Sequence, residues 1–205
     1  LDHYGYEDAT FVGHDWGAAV AWWAAAKYPD RIKRLVVLNV PHPTVMLHNT
    51  MGRHNTMGNV TQMMKSWYIL CFQLPAIPEK FCAINNWQFL TFSLSGTSLP
   101  GTFSEKDLKK YRQAWARPGA ISGMINWYRA FLQTRSEKLP SYRITMPTLI
   151  IWGAKDAFLA KEMASQSINL CDNGELVLLE NATHWVQHEE KNRVNKLLYE
   201  FLGKP

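Results

Sequence analysis

The chain has 205 residues, of which 47% are hydrophobic and 19% are charged, which is ordinary for a globular domain with a buried core. Its formal net charge of +5 comes from lysines and arginines spread thinly along the sequence, without a basic stripe interleaved with aromatic residues, so we expect no nucleic-acid partner. No apolar run reaches membrane-spanning length, and the three cysteines form no C-x-x-C pair that would indicate a zinc site or a disulfide framework.

The first part of the chain alternates between strand and helix patterns. Residues 9–13 are apolar and compatible with a strand, residues 18–27 are rich in alanine and tryptophan and favour a helix, and residues 32–40 form a β-branched run typical of a buried strand. Pro29 ends the predicted helix because a proline cannot continue it, and Pro41 ends the second strand.

The pattern changes between residues 43 and 140 to helical segments rich in methionine, asparagine and aromatic residues. Alternating strands and helices then return, at 148–152, 160–169, 175–179 and 192–202. This alternation predicts an α/β fold with a mostly parallel sheet flanked by helices. We therefore expect two core segments with a helical lid inserted between them, at 1–42, 141–205 and 43–140 respectively. Four strands are few for such a sheet, so we expect the N-terminal strands of the fold to be missing from this chain.

The turn between the first strand and the first helix carries the strongest chemical signal. It reads Gly13-His14-Asp15-Trp16-Gly17, which matches the G-x-S-x-G turn that presents a nucleophile, with aspartate in the serine position. We expect both glycines to be required because the tight turn brings neighbouring backbone close. The helix N-terminus favours an anion. A carboxylate there suits attack on an sp³ carbon, giving an alkyl ester, whereas ester or peptide hydrolysis would call for serine or cysteine.

Two later residues favour this interpretation over the alternative that Asp15 is only a helix N-cap. Asp156 follows a predicted strand, and His184 lies between the last strand and the last helix. The nucleophile, the acid and the histidine therefore occur along the chain in the order found in proteins that carry this nucleophile turn. Asp156 would orient the imidazole, and neutral His184 would activate water. We assign His14 to shaping the turn and His188 to the surface.

These motifs resemble the epoxide hydrolases of the α/β-hydrolase superfamily, particularly the animal-type epoxide hydrolase 3 and 4 group. The resembling segments run through nearly the whole chain in family order: FVGHDWGAAVAWWAAAKYPDRI, LNVPHP, FQLPAIPE, ARPGAISGMINWYRAF, PTLIIWGAKDAF and NATHWVQHE. The resemblance implies the α/β-hydrolase fold and a two-step reaction. Asp15 opens a small apolar epoxide, and water activated by His184 then releases a vicinal diol. Water is the second reactant, so no cofactor or metal is expected.

The resemblance also implies that lid tyrosines protonate the epoxide oxygen, since a phenol with a pKa of about 10 is a proton donor at neutral pH. Tyr128, in the segment NWYR, stands at one of these positions. At the other, many relatives have a tyrosine immediately before the Phe-Gln pair, where this chain has Cys71. Tyr68 lies one helical turn earlier and is our candidate for the second acid, with packing as its alternative role.

A departure from the family concerns the start of the chain. The family has a His-Gly-x-Pro motif that contributes backbone to the oxyanion hole, and no such motif precedes Asp15 here, which leaves the Trp16 amide. We expect a longer gene product, in preference to an isolated fragment or a chain completed by a partner. Membrane association is expected only through a segment outside this chain. The expected locations are the cytoplasm and the endoplasmic-reticulum membrane, and nothing specifies an oligomeric state.

Two other functions compete with the epoxide hydrolase interpretation. Haloalkane dehalogenases resemble the chain at the same turn, including the tryptophan after the aspartate; there the Trp16 indole would bind the halide and no tyrosine would be needed. Tyr128 and the FQLP segment favour the epoxide. The second competitor is an inactive, truncated member that binds a small apolar ligand.

Overall fold

The computed structural model of the protein describes residues 1–51, 62, 64–134, 139 and 141–203. The chain divides into two compact units, which we name the core unit and the helical unit. The core unit comprises Leu1–Met63 and Lys138–Pro205, and the helical unit comprises Met64–Glu137. Over the described ranges, no helix combines the length and the apolar character that are needed to span a membrane.

The core unit contains one parallel sheet. Its strands are β1 (Ala9–His14), β2 (Ile32–Leu38), β3 (Thr148–Gly153) and β4 (Gly174–Leu179). They lie side by side in the order β1-β2-β3-β4, and every adjacent pair is parallel. The carboxyl ends of all four strands therefore lie at the same edge of the sheet, where parallel α/β sheets place their ligand sites.

Helices follow each strand, as the alternating sequence pattern predicted. Within the described residues the helices are, in chain order, α1 (Trp16–Lys27), α2 (Pro43–Met51), α3 (Trp67–Cys71), α4 (Ile77–Thr97), α5 (Glu105–Trp115), α6 (Ala120–Thr134), α7 (Glu162–Ile168), α8 (Val186–Glu189) and α9 (Lys191–Leu202). Helix α4 is interrupted at residues 84–87, where the backbone leaves the helical conformation.

Alternate side chains of the central strands enter two separate cores. On β2, Leu35 and Val37 face the core formed with α1 and α7, whereas Val36 and Leu38 face the core formed with α9. All four side chains are buried. A strand segment that is buried on both faces must be apolar, and residues 35–38 of β2 are all aliphatic, whereas the charged Lys33 and Arg34 lie towards the start of the strand.

The boundary of the helical region differs from the sequence-based expectation. The sequence placed the start of the helical lid at residue 43, but α2 lies in the core unit, and the helical unit begins at Met64. Val45 of α2 is buried in the same core as Trp22 of α1 and Met163 of α7. The lack of strand character after Pro43 says nothing about which core a helix joins, because that depends on tertiary packing.

The helical unit is built from α3 to α6. Helix α5 begins with a capping box, in which the Ser104 hydroxyl accepts from the Asp107 amide and the Asp107 carboxylate accepts from the Ser104 amide. Buried apolar side chains from the four helices form its interior: Ile69, Cys82, Leu94, Leu108, Trp115, Ile121 and Ile125.

One buried histidine makes the stability of the core unit depend on pH. His42 follows β2, is fully buried, and packs its ring against Trp22 with the centroids 5.3 Å apart. Burial lowers the pKa of His42 to about 4. Between pH 4 and about 6.5 the unfolded chain therefore binds a proton at this residue that the folded chain does not, and stability falls as the pH is lowered through this window.

We expect His42→Gln to weaken this pH dependence. The contribution of His42, up to about 3 kcal/mol between pH 6.5 and pH 4, should be lost, whereas His48→Gln, which replaces an exposed histidine on α2, should keep the parent slope. Chemical denaturation at a series of pH values measures the free energy of unfolding. Parallel curves for the parent and His42→Gln would contradict the prediction.

Candidate active site

Asp15 occupies the turn between β1 and α1. Strand β1 ends at His14 and α1 begins at Trp16, so Asp15 is the N-cap residue, with a φ of 51°. A positive φ in a non-glycine residue costs of order 1–3 kcal/mol and persists where the surrounding structure enforces it. The Asp15 carboxylate makes no capping hydrogen bond to α1, so capping does not account for an aspartate at this position.

The two glycines of the turn differ in whether a larger residue would fit in their place. A Cβ atom on Gly13 would lie 2.5 Å from the Gly17 carbonyl oxygen and 2.6 Å from the Ala18 backbone, so only glycine fits there. A Cβ atom on Gly17 would meet no atom within 4 Å of it. The expectation that both glycines are sterically required is therefore wrong for Gly17. The backbone of Gly17 lies close to Gly13, but the position of a side chain on residue 17 is open.

The structure brings Asp15, Asp156 and His184 together at the carboxyl edge of the sheet. His184 Nε2 lies 3.5 Å from Asp15 Oδ1, and His184 Nδ1 lies 2.8 Å from Asp156 Oδ2. The side chain of Asp15 is 48% exposed, whereas those of His184 and Asp156 are 4% and 0% exposed. The carboxylate in the nucleophile position is thus accessible, and the pair behind it is shielded from solvent.

Four donors hold the Asp156 carboxylate in place. Its Oδ1 accepts hydrogen bonds from the amides of Phe158 and Leu159, at 2.7 and 3.0 Å. Its Oδ2 accepts from His184 Nδ1 at 2.8 Å and from Asn39 Nδ2 at 2.7 Å. Because Nδ1 of His184 donates to Asp156, a neutral His184 carries its lone pair on Nε2, the atom nearest Asp15.

Asn39 is a part of the site that our sequence analysis missed. It follows β2, is fully buried, and has a φ of 50°. Besides donating to Asp156, its Oδ1 accepts from the Gly153 amide at 2.9 Å. Asn39 thereby ties the end of β2 to the end of β3 and to Asp156. In the sequence, Asn39 falls within the run 32–40 that we predicted as a strand, whereas β2 ends at Leu38.

Backbone contact joins the loop that carries Asp156 to the loop that carries His184. The Lys155 amide donates to the Ala182 carbonyl at 2.9 Å. A Cβ atom on Gly153 would lie 2.0 Å from the Thr183 carbonyl oxygen, so the end of β3 touches the chain directly before His184. The same residue, Thr183, is also held from α8, where the Glu189 carboxylate accepts hydrogen bonds from the Thr183 amide and hydroxyl.

His14 connects the nucleophile turn to the His184 loop. Its Nε2 donates to the His184 carbonyl at 2.8 Å, and its Nδ1 accepts from Gln187 Nε2 at 3.2 Å. Burial and the nearby charge of His184 lower the pKa of His14 to about 4. This histidine is therefore neutral at physiological pH.

Asp15 and His184 stabilise each other as an ion pair. Burial opposes the charge on His184, but the charge of Asp156 and the hydrogen bonds with Asp15 and Asp156 outweigh it, so the pKa of His184 is raised. Burial likewise acts to raise the pKa of Asp15, yet His184, His14 and the Trp16 amide together hold it below its usual value. The Trp16 amide, which the sequence assigned to the oxyanion hole, thus lies next to the Asp15 carboxylate.

The two candidate tyrosines lie together in the helical unit. Tyr68 is on α3 and Tyr128 is on α6, and their ring centroids are 5.7 Å apart in an edge-to-face arrangement. Phe72 contacts both rings, at 5.7 Å from Tyr68 and 4.8 Å from Tyr128. Both tyrosines are half-buried.

In the part of the chain that the structure describes, no cluster of three or more His, Cys, Asp and Glu side chains could hold a metal ion.

A family model described as the alpha/beta hydrolase fold matches residues 1–191, and the chain belongs to that family. The predicted fold class, a parallel sheet flanked by helices in the α/β-hydrolase arrangement, is confirmed.

Proteins named epoxide hydrolase are among its relatives. The chain is 36% identical to "Epoxide hydrolase 4" of Homo sapiens, over 98% of this chain and 55% of that protein. It is 39% identical to the "AB hydrolase superfamily protein YfhM" of Bacillus subtilis, over 96% of this chain and 66% of that protein. A solved structure of a mutant of an epoxide hydrolase from Bacillus megaterium superposes with a TM-score of 0.83 at 28% identity, over 100% of this chain and 72% of that one. The chain therefore spans about one half to two thirds of the length of these two curated relatives.

We expect Asn39→Ala to destabilise the core unit by about 1–3 kcal/mol, because it leaves the buried Gly153 amide without its acceptor and removes a donor from Asp156. Asn39→Gly loses the same bonds but accommodates the positive φ, so it should be about 1 kcal/mol more stable than Asn39→Ala. Chemical denaturation of both variants measures the difference. Equal stability of the two would show that the backbone conformation carries no strain.

We also expect Asp15→Asn to lower the pKa of His184. The variant removes a negative charge and a carboxylate acceptor 3.5 Å from Nε2, so the imidazolium should release its proton at a lower pH. NMR titration of the His184 ring gives the midpoint. Asp2→Asn, which replaces an exposed carboxylate paired with Arg31, is the matched control and should leave the midpoint unchanged. An unchanged midpoint in Asp15→Asn would refute the ion pair.

Proposed function

We propose that this protein hydrolyses a small apolar epoxide to a vicinal diol through an ester formed on Asp15. The observation that carries the proposal is the accessible Asp15 carboxylate, 3.5 Å from an imidazole that a buried carboxylate orients. A carboxylate in the nucleophile position attacks an sp³ carbon, and an oriented histidine next to it suits hydrolysis of the resulting ester. The likeness to proteins named epoxide hydrolase supports the same assignment.

In the first step, an oxygen of Asp15 attacks one carbon of the epoxide. A carbon–oxygen ester bond forms, the ring carbon–oxygen bond breaks, and the departing oxygen takes a proton from a tyrosine. Tyr128 supplies this proton in our proposal, with Tyr68 as the second phenol, and the phenolate regains a proton from water. The contact between the two rings supports a paired function for them. Because the departing oxygen is a poor leaving group, proton donation accelerates its release.

In the second step, His184 Nε2 takes a proton from water, and the hydroxide attacks the carbonyl carbon of the ester. The Trp16 amide stabilises the oxyanion that forms, and Asp156 stabilises the imidazolium. Collapse breaks the acyl carbon–oxygen bond, and His184 returns the proton to the departing alcohol. The Asp15 carboxyl group then releases its proton to solvent, which balances the proton that the phenolate took from water and restores the nucleophile. Esterification also removes the charge of Asp15, which had raised the pKa of His184, so the imidazole loses its proton more readily when it must act as a base.

The surroundings of His184 support an apolar substrate. Phe158 and Trp185 pack their rings at 5.2 and 5.3 Å from the imidazole, both edge-on. Aromatic rings next to the imidazole lower the polarity around the reacting atoms and favour an apolar substrate. The proposed reaction consumes only epoxide and water. The paired tyrosines favour an epoxide over a haloalkane, because a departing halide needs no proton.

The test is to trap the ester. With His184→Gln, a protein incubated with an aryl epoxide should gain the mass of one epoxide on Asp15, because ester decay slows by at least about a hundredfold without the base. Asp15→Asn should gain nothing. His188→Gln, which replaces an exposed histidine four residues away, should form diol like the parent. Intact-mass and peptide-mass spectrometry measure the adduct.

Two outcomes would overturn the proposal. The first is a folded His184→Gln variant without an adduct on Asp15, and the second is His184→Gln turnover at the parent rate. A chloroalkane incubated in parallel tests the dehalogenase alternative, since halide release without any diol formation from the epoxide would favour that activity.

A further inference from the structure

Arg129, next to Tyr128 on α6, uses every N–H of its guanidinium in the helical unit. Nη1 and Nη2 donate to the two carboxylate oxygens of Glu79, at 2.7 and 3.2 Å. Nη1 also donates to Asn126 Oδ1 at 3.1 Å. The side chains of Arg129 and Glu79 are only 21% and 19% exposed. This is a two-pronged ion pair, a geometry that a lysine at this position could not reproduce.

The remaining donors of Arg129 hold the chain between α3 and α4. Nε donates to the Phe72 carbonyl at 3.0 Å, and Nη2 donates to the Leu74 carbonyl at 2.8 Å. Gln73, which lies between these two residues, donates to the Ile69 and Tyr128 carbonyls at 2.9 and 3.2 Å. Arg129, together with Gln73, therefore fixes a short non-helical segment onto α6, beside Tyr128.

The residue fixed in this way also supports the two phenols. The Phe72 ring touches both tyrosine rings, and its carbonyl is the one that Arg129 Nε binds. A movement of Phe72 would change its contact with Tyr68 on α3 and with Tyr128 on α6 at once. Small misplacements of an acid cost rate steeply, because proton donation requires hydrogen-bond distance.

We propose that Arg129, oriented by Glu79, is a positioning residue that sets Tyr68 and Tyr128 relative to each other so that both phenols reach the same epoxide oxygen. This inference rests on the proposed function. It predicts a selective effect, because the tyrosines act only in ring opening, whereas ester hydrolysis uses Asp156, His184 and water. If the ion pair only stabilised the helical unit, its loss would lower the melting temperature but would not slow ester formation more than ester decay.

The experiment measures the two chemical steps separately for Arg129→Lys. Ester formation is followed by mass spectrometry in the His184→Gln background, and ester decay is followed in single turnovers with His184 intact. We expect ester formation to slow by about tenfold or more and ester decay to stay within about twofold of the parent. Tyr128→Phe provides the benchmark, since it should affect the same step.

Two further variants control the interpretation. Arg112→Lys alters another arginine of the helical unit that pairs with a glutamate, Glu105, and should leave both steps unchanged. Glu79→Gln keeps Arg129 and an oxygen acceptor while removing the ion pair, so it should slow ester formation by a smaller factor even if Arg129→Lys fails to fold. Melting curves identify the variants that fold.

The outcomes separate the two proposals. If folded Arg129→Lys and Glu79→Gln form the ester at the parent rate, or if both steps slow equally, Arg129 does not position the tyrosines, although the proposed function stands. If no ester forms on Asp15 in the His184→Gln background with Arg129 intact, the proposed function fails and this inference fails with it.

Discussion

The site depends on one imidazole held between two carboxylates. Asp156 binds Nδ1 of His184 and is itself held by three other donors, so the position of the Nε2 atom that meets Asp15 is fixed by groups on two segments, the residue after β2 and the loop after β3. One carboxylate is buried and saturated with hydrogen bonds, and the other is accessible. The same chemical group can therefore have two different functions, because the fold gives each copy a different environment.

The fold assembles this arrangement at a conformational cost. Asp15 and Asn39 both adopt positive φ at the carboxyl edge of the sheet, where β1 and β2 end. Such strain persists only when the surrounding packing is strong, and the two apolar cores on either face of β2 and β3 provide that packing. Both of these strained residues have side chains that contact His184 or its partner Asp156.

Much of the core unit could be predicted because its signals are local. An alanine-rich run predicted α1, a β-branched run predicted β2, and the chain order of Asp15, Asp156 and His184 predicted their meeting. Asn39 could not be found in this way, because its bond to Asp156 joins residues 117 positions apart and it falls within a run predicted as a strand. The pairing of Glu79 with Arg129 is hidden for the same reason, since 50 positions separate them.

The contact between Gly153 and the Thr183 carbonyl links two features that could otherwise vary independently. Any side chain at residue 153 would clash with the backbone one residue before His184 and displace the segment that carries the imidazole. A loop of another length or course after β4 would therefore have to preserve this close backbone contact. Sequence change in this loop is therefore restricted where its backbone meets residue 153, and glycine is needed at that residue for as long as the contact is kept.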